Sequence, residues 1–392
     1  MSSLSTDYLK IGKTIAFYNS IVNENTIYYL FIGKPTAWGL DTYSLETVPT
    51  PQINFYSLKN EINDIIALKR IKASDVSLGI KRYDWNQGFI YDQYDIYNEN
   101  LLRKNHYAGT NPFYVMTNEY NVYKCLDNNN GSQSIEQPSG QFLTAFTLAD
   151  GYRWKFMFNV PELDRIKFLS DSYIPVKGNF ELINVTSSQY RTFVAAIPGT
   201  IERFDILSPG SGFYSGTTDL VFSGTGTQLA GNLVYFNTGI SKINITNAGR
   251  DYTTCYATIT SNATNPSIAS QVRPQFSPQG GHGYNCVTEL GAFYTIISMD
   301  IVGTDDLSFP SNIYFRKTGI VQHFKDIQGN FIVQDYFYGP QHPLYNNAAL
   351  RYNSQSMIMS STTGEVCYIN YHDKILRSAN HLERIKLVVE TN

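Results

Sequence analysis

Short runs of β-branched and aromatic residues, bounded by glycine, proline and asparagine, recur along the chain and predict strands. In HLERIKLVVET (381–391), Ile385, Leu387 and Val389 alternate with other residues, which is typical of a strand with one buried face. The other clear runs are NTIYYLFIG (25–33), NPFYVMT (111–117), NVYKCLD (121–127), GYRWKFMFNVP (151–161), AFYTIISMDI (292–301) and SNIYFRKTGIVQHF (311–324). The hydrophobic pattern therefore predicts a mostly β protein.

A helical spacing of apolar positions occurs in only a few places. The best case is SLKNEINDIIALKRIKA (57–73), where Ser57 can cap a helix whose apolar side is formed by Ile62, Ile65, Ile66 and Leu68. A short helix is predicted for PELDRIKFL (161–169), with Pro161 at its start, and a short helix or extended lead precedes the first strand. NNNGSQSIEQPSG (128–140) and QDYFYGPQHPLYNN (334–347) are predicted loops.

The composition changes near residue 197, and the sequence then repeats with a shift of 39 residues. IERFDILSPGSGFY (201–214) aligns with ISKINITNAGRDYT (240–253), and each is followed by a second strand-like run. The aligned pairs are Ile201 with Ile240, Phe204 with Ile243, Ile206 with Ile245, Gly210 with Gly249, and Phe213 with Tyr252. We expect one small β domain of two similar units, each a strand, a glycine turn and an aromatic that packs back. A chance match of two β-rich segments is the alternative.

These patterns predict a mostly β fold in which the N- and C-terminal parts form a β-sandwich-like body with a few peripheral helices. A small β domain is inserted into that body. The expected boundaries are a mostly β domain over 1–196, the inserted β domain with its two-fold internal repeat over 197–290, and a C-terminal β domain over 291–392. The last domain is expected to pack on the N-terminal part.

The composition is rich in tyrosine and poor in charge. The 392 residues include 30 Tyr and 23 Phe, and only 16% are charged, against roughly 25% in a typical soluble domain. Protein interfaces are enriched in Tyr and depleted in Lys, Glu and Asp, so a surface covered by partners and an ordinary Tyr-rich β protein both fit. The net charge of −3 gives no broad basic field, and no nucleic-acid partner is expected.

The four cysteines, Cys125, Cys255, Cys286 and Cys367, lie far apart without a CxxC pair. Neither a disulfide scaffold nor a zinc site is expected from this spacing, and reduced thiols are the simplest interpretation. The N-terminal residues contain no apolar segment of the signal-peptide type. No apolar run approaches the roughly 18 residues that span a bilayer. We expect a soluble protein without membrane insertion.

GGHGYNC (280–286) is the stretch that most resembles an active-site loop, because glycines surround His282 and Cys286 closes the run. No second ligand or base stands at a workable spacing, however, and adjacent His372 and Asp373 would face opposite ways on a strand. The favoured interpretation is structural, with Gly281 and Gly283 allowing positive φ. The chain contains no GxSxG, Walker or dinucleotide-binding motif. We therefore expect no enzymatic activity, and no catalytic, cofactor or metal site.

Seven segments in the same order resemble a known family along nearly the whole chain. They are TIAFYNSI (14–21), TIYYLFIGKPTAW (26–38), RYDWNQGFIYDQYD (82–95), FYVMTNEYNVYKCLDNNNG (113–131), DGYRWKFMFNVP (150–161), GGHGYNCVTELGAFY (280–294) and GEVCYINYHDKILRSANHLERIKLVVET (364–391). The chain resembles the dimeric baseplate wedge subunit of contractile-tailed, T-even-like phages, above all the forms in their marine cyanophage relatives. The repeat over 197–279 is absent or different in the T-even form.

The resemblance implies a structural virion protein, made in the host cytoplasm and assembled into the tail baseplate. It would form a homodimer that bridges other wedge proteins and takes part in baseplate assembly and in its rearrangement on infection. The three tryptophans, Trp38, Trp85 and Trp154, fall inside the matched segments and are expected to be core anchors, alongside the turn glycines of the repeat, Gly210 and Gly249.

Two other functions remain open. The repeat could be a carbohydrate- or receptor-binding part of a tail-associated protein, with Phe213, Tyr214 and Tyr252 stacking on sugar rings. A tail hydrolase is a third possibility, since carboxylates brought together by the fold would be invisible in the sequence.

Overall fold

The computed structural model describes residues 6–23, 26–33, 65–98, 101–104, 111–262, 268–300, 314–322, 336–337, 365–377 and 384–390. The chain divides into two compact units. The first comprises Met1–Ile11 and Gly79–Ala292, and the second comprises Gly12–Leu78 and Phe293–Asn392. The prediction of a mostly β protein is confirmed, since several antiparallel sheets make up most of the regular structure. The sandwich-like body and the boundaries at 196 and 290 stay predictions.

The described strands are, in chain order, β1 (Tyr28–Gly33), β2 (Ile65–Arg70), β3 (Val76–Lys81), β4 (Tyr114–Met116), β5 (Asn121–Asp127), β6 (Phe146–Thr147), β7 (Arg153–Asn159), β8 (Tyr173–Val176), β9 (Ile201–Ser208), β10 (Thr218–Gly224), β11 (Thr227–Phe236), β12 (Gly239–Arg250), β13 (Cys255–Ser261), β14 (Gln271–Phe276), β15 (Tyr294–Asp300), β16 (Tyr314–Gln322), β17 (Tyr336–Phe337), β18 (Glu365–Arg377) and β19 (Arg384–Glu390). The described helices are α1 (Asp7–Val22), α2 (Leu101–Lys104), α3 (Glu162–Lys167), α4 (Ser188–Val194) and α5 (Cys286–Glu289), with 3-10 turns at Ala73–Asp75 and Asn179–Glu181.

The second unit contains a five-stranded antiparallel sheet in the order β17-β2-β1-β16-β18. The helix predicted over 57–73 is wrong where the structure describes it, because Ile65–Arg70 forms strand β2. This strand pairs with β1, and Leu68 lies opposite Phe31. A short run of apolar residues fits a helix and a buried strand equally well. Pairing of β2 with β1 on one edge and with β17 on the other therefore decides in favour of the strand. Residues 57–64, including Ser57, lie outside the described part.

Other sequence predictions agree with the described elements. In β19, Ile385, Leu387 and Val389 are buried as predicted, and the strand pairs antiparallel with β15. Helix α3 follows Pro161, which occupies its N-cap. The predicted loop over 334–347 contains the two-residue strand β17, and its remaining residues lie outside the described part.

In the first unit, a sheet in the order β4-β5-β7-β6 carries an aromatic core. Trp154 is fully buried and stacks on Tyr152, with ring centroids 5.6 Å apart, while Tyr91 meets its edge at 5.7 Å. Trp85 is partly buried and packs against the same cluster, and its indole nitrogen donates to Ser134 Oγ at 3.1 Å. These contacts anchor the loops that precede β4 and follow β5 to the sheet.

The 39-residue sequence repeat is also a structural repeat. Each repeat unit contributes three strands, β9 to β11 in the first repeat unit and β12 to β14 in the second. The second strands, β10 and β13, pair antiparallel in a register that places Leu220 opposite its own repeat equivalent, Ile259. The third strand of each unit pairs with the first strand of the other, as β11 with β12 and β14 with β9. The two repeat units are therefore interlocked about an approximate two-fold axis.

The turns of the two units are equivalent as well. Gly210 and Gly249 have φ of +63° and +66°, a region that side chains with a Cβ disfavour. The aromatic residues that follow, Phe213 and Tyr252, are buried at 1% and 7% exposure. The amide of Phe213 donates to the carbonyl of Thr238, and the amide of Tyr252 donates to the carbonyl of Gly199. Gly199 lies 39 residues before Thr238, so the two hydrogen bonds are repeat equivalents. Each unit thus closes a turn of the other.

Candidate functional site

The glycine-rich loop over 280–286 runs through the interior of the first unit. Gly281 and Gly283 have φ of +96° and +88°, and both face close neighbours. A Cβ on Gly281 would lie 2.3 Å from the carbonyl oxygen of Ile197, and one on Gly283 would lie 2.4 Å from Thr192 Cγ2. Asn285 then caps helix α5 by accepting from the amide of Thr288. The glycines allow this tight path, which brings His282 under the surface.

His282 belongs to a group that we call the buried cluster, which is formed by Tyr94, Lys124, His282 and Glu289. Lys124 Nζ donates to Glu289 Oε2 at 2.9 Å and lies 3.1 Å from His282 Nδ1. The same ammonium lies 3.9 Å from the centroid of the Tyr94 ring. The side chains of Lys124 and Glu289 are 0% and 3% exposed. The chain therefore holds an ion pair, an imidazole and an aromatic face almost without solvent.

The backbone of the glycine loop completes the coordination of the carboxylate. Glu289 Oε1 accepts from the amide of Gly283 at 2.8 Å and from that of Asn285 at 3.3 Å. Such charge-assisted bonds favour an ionised carboxylate. Burial alone would raise the pKa of Glu289, but the charge of Lys124 and its hydrogen bond to this carboxylate outweigh it, so this pKa is lowered to about 2. Glu289 is thus an anion at neutral pH.

The imidazole of His282 is held neutral. Its burial and the neighbouring charge of Lys124 lower its pKa from the ordinary value of 6.5. Burial also lowers the pKa of Lys124, against the opposing effect of Glu289. An ammonium that donates to Glu289 donates to His282 Nδ1 as well, so Nδ1 is the acceptor and Nε2 carries the hydrogen.

His282 also lines a second feature, which we call the polar cleft. It has a volume of about 360 Å³. It is lined by Leu143, Thr144, Ala145, Arg153, Lys155, Ala195, Ile197, Thr200, Glu202, Thr246, Asn247, Ala248, Gly249 and His282. Glu202 accepts from Thr200 Oγ1 at 2.7 Å and pairs with Arg153 at 3.1 Å. Burial would raise the pKa of Glu202, but the charge of Arg153 and the hydrogen bond from Thr200 lower it overall, so this carboxylate is ionised.

The chemistry of the loop is not that of a cysteine nucleophile. Cys286 is 1% exposed, and burial together with the charge of Glu289 raises its pKa far above the ordinary thiol value. A reactive cysteine needs the opposite environment. Among the residues that the structure describes, no group of three His, Cys, Asp or Glu side chains could hold a metal ion.

The remaining predicted site residues lie in separate places. Trp154 and Trp85 are in the aromatic core of β5 and β7, Gly210 and Gly249 are in the two repeat turns, and Gly249 also lines the polar cleft. Trp38 lies outside the described residues. The burial of Phe213 and Tyr252 removes two of the three aromatics suggested for sugar stacking, while Tyr214 is 48% exposed.

The sequence interpretation missed Tyr94, Lys124, Glu202 and Glu289. One signal was present for Lys124, which stands between Tyr123 and Cys125 in a strand whose seven residues are all buried. A lysine in such a run needs a buried partner. Its partner could not be identified, because Glu289 lies 165 residues further along the chain.

No family model matches this chain, and a search of the curated proteins finds no relative. In the part of the chain that the structure describes, no helix is both long and apolar enough to cross a membrane.

Proposed function

We propose that this protein is a structural subunit of a contractile-tail baseplate wedge. In this role it forms a homodimer, bridges other wedge subunits in the virion and takes part in baseplate assembly and in the rearrangement on infection. It performs no reaction of its own. The observation that carries the proposal is the ordered series of seven sequence segments that resemble the wedge family.

The places where these segments meet support the proposal. Tyr94, Lys124 and Glu289 come from three different segments of the series and join in the buried cluster, while Trp154 comes from a fourth and centres the aromatic core. Residues that are shared for structural reasons are expected to lie in such interior contacts. A shared fold is therefore a sufficient reason for the resemblance, and no catalytic constellation is needed to account for it.

The first unit also exposes apolar side chains in one part of its sequence. Between Pro161 and Pro198, seven large apolar side chains are at least 46% exposed. They are Leu163, Ile166, Phe180, Ile183, Val185, Val194 and Ile197. We call this stretch the exposed apolar segment. Interaction sites expose apolar side chains in groups, and the grouping of these residues along the sequence makes this segment our candidate for the subunit contacts.

The proposal predicts a homodimer that tolerates salt, because apolar contacts are hardly screened. Size exclusion with light scattering, at low and high salt, measures the copy number. Ile183, which is 88% exposed, is changed to Glu in one variant, and exposed Ser215 is changed to Glu in the control. We expect Ile183→Glu to weaken the dimer by about tenfold or more, since it buries a charge in an apolar contact, and Ser215→Glu to leave it intact.

A monomer at micromolar concentration, or a dimer that dissociates in 1 M salt, would contradict the proposed interface. A cryo-EM map of tails that contain this chain tests the wedge assignment separately. We expect two copies in each wedge. A position outside the baseplate, at the tip of a fibre for example, would favour the receptor-binding alternative, and a glycan array would then test it.

A further inference from the structure

His282 belongs to the buried cluster and also lines the polar cleft. Nδ1 faces Lys124 at 3.1 Å, whereas Nε2 has no hydrogen-bond partner among the described residues. The side chain is only 3% exposed, and it lines the cleft. A buried N–H without an acceptor is costly, so this atom marks a position where an acceptor belongs.

The tautomer makes this position selective. Because Lys124 fixes Nδ1 as an acceptor, Nε2 is a hydrogen-bond donor and cannot accept from a ligand hydroxyl or amine. The group that completes the site must therefore present an acceptor, such as a carbonyl, carboxylate or phosphate oxygen.

The charges around the cleft favour an anion. Arg153 and Lys155 supply two positive charges, against the single negative charge of Glu202. The Glu202 carboxylate is already paired with Arg153 at 3.1 Å, while Lys155 Nζ donates to the carbonyl of Leu143, a neutral acceptor. Lys155 is only 5% exposed, so its charge acts at short range in a poorly hydrated place.

We propose that the polar cleft binds a carboxylate group, with one oxygen accepting from His282 Nε2 and with Lys155 supplying the positive charge. Glu202 and Arg153 neutralise each other and form one wall. The volume of about 360 Å³ suits a small ligand or a single inserted side chain. The carboxylate comes either from a free organic acid or from an acidic side chain of another protein chain, and the proposal does not depend on the wedge assignment.

Calorimetry with the full chain tests the proposal in two arms. The first arm uses acetate and succinate, with acetamide as the neutral control. The second uses acetylated tripeptides with a central Glu, with the matching Gln peptide as control. We expect saturable binding in at least one arm and none for the amides. Binding of the free acids identifies a small-molecule site, whereas binding of the Glu peptide alone identifies a side-chain site.

Two variants connect the signal to the cleft. Lys155→Met is expected to weaken carboxylate binding by about tenfold or more, the size of a charge-assisted bond, while Lys13→Gln, which changes an exposed lysine, leaves it unchanged. His282→Phe should abolish binding, and near-UV circular dichroism checks that this variant is folded. If neither acids nor Glu peptides bind more tightly than their amides, or if folded Lys155→Met binds as the wild type does, the proposal is wrong.

Discussion

Replacing Glu289 by Gln is the sharpest test of the buried cluster. The change is nearly isosteric, and the Gln oxygen can still accept from the amide of Gly283, which lies 2.8 Å from Glu289 Oε1. What disappears is the negative charge opposite Lys124, whose side chain is 0% exposed. The variant therefore leaves an unpaired ammonium in the interior while preserving most of the packing.

The expected loss follows from the linkage between pKa and stability. The pKa of Glu289 falls from 4.5 to about 2 on folding, and each pKa unit corresponds to about 1.4 kcal/mol. The difference of 2.5 units gives roughly 3 kcal/mol at neutral pH. Breaking a buried ion pair by removing one partner costs about 3–5 kcal/mol in other proteins. We therefore expect Glu289→Gln to lower the free energy of unfolding by about 3 kcal/mol.

Urea denaturation followed by tryptophan fluorescence measures this loss, since Trp85 and Trp154 both lie in the first unit. The matched control is Glu136→Gln, because this carboxylate is exposed and also accepts from a backbone amide; it should cost less than about 1 kcal/mol. Adding Lys124→Met to Glu289→Gln should recover part of the loss, as the unpaired charge is then gone. A loss within about 1 kcal/mol of the control, with no recovery in the double variant, would refute the buried ion pair.

Three further outcomes are expected. Gly249→Ala should lower the unfolding free energy well beyond Gly216→Ala in chemical denaturation, since both glycines have positive φ but only Gly249 has a backbone oxygen 2.6 Å from the new Cβ; equal losses would contradict the tight turn. The pKa of His282 is lowered below 6.5 by burial and by the charge of Lys124, so the unfolded state binds more protons than the folded state. The free energy of unfolding should therefore fall as the pH drops below about 6.5, by at most roughly 1.4 kcal/mol per pH unit. Denaturation curves at pH 5 to 7 measure this slope, and His282→Gln should remove the part that His282 contributes. In the Cys367→Ser variant only the three described cysteines remain, and all three are buried. Their thiols should therefore react with a thiol reagent only when the protein unfolds. Fast labelling of the folded variant would show that one of them is accessible.

The strands were predictable where local pattern and burial agree. The alternation in β19 and the aromatic run of β7 are visible in the sequence, because a strand places successive side chains on opposite faces. The helix prediction for residues 65–70 was wrong because four neighbouring apolar positions fit a helix as well as a strand. Only the pairing with β1 and β17 decides between the two. The 39-residue repeat was visible, but the exchange of third strands between its units was not, since strand partners are a property of the tertiary fold.

The candidate site was less predictable than the fold. Gly281 and Gly283 have the positive φ that their residue type allows, yet the absence of a partner at local spacing was a poor guide to the surroundings of His282. Its neighbour Lys124 lies 158 residues away in the chain. Contacts at such separations are created by sheet packing and leave no spacing in the sequence.

The interlocked repeat has the strand arrangement that duplication of a symmetric dimer would leave. The third strand of each repeat unit pairs with the first strand of the other, and the two second strands pair with each other, so one repeat unit alone would leave all three of its strands without partners. An ancestral chain that contained only one repeat unit could therefore have folded only as a symmetric pair of identical molecules. Duplication and fusion of its gene would join the two copies and release them from symmetry. The outer contacts of the two repeat units differ: Arg203 donates to the carbonyl of Tyr94, whereas its repeat equivalent, Lys242, pairs with Asp127 at 2.7 Å. The two repeat units thus have different neighbours in spite of their common strand arrangement.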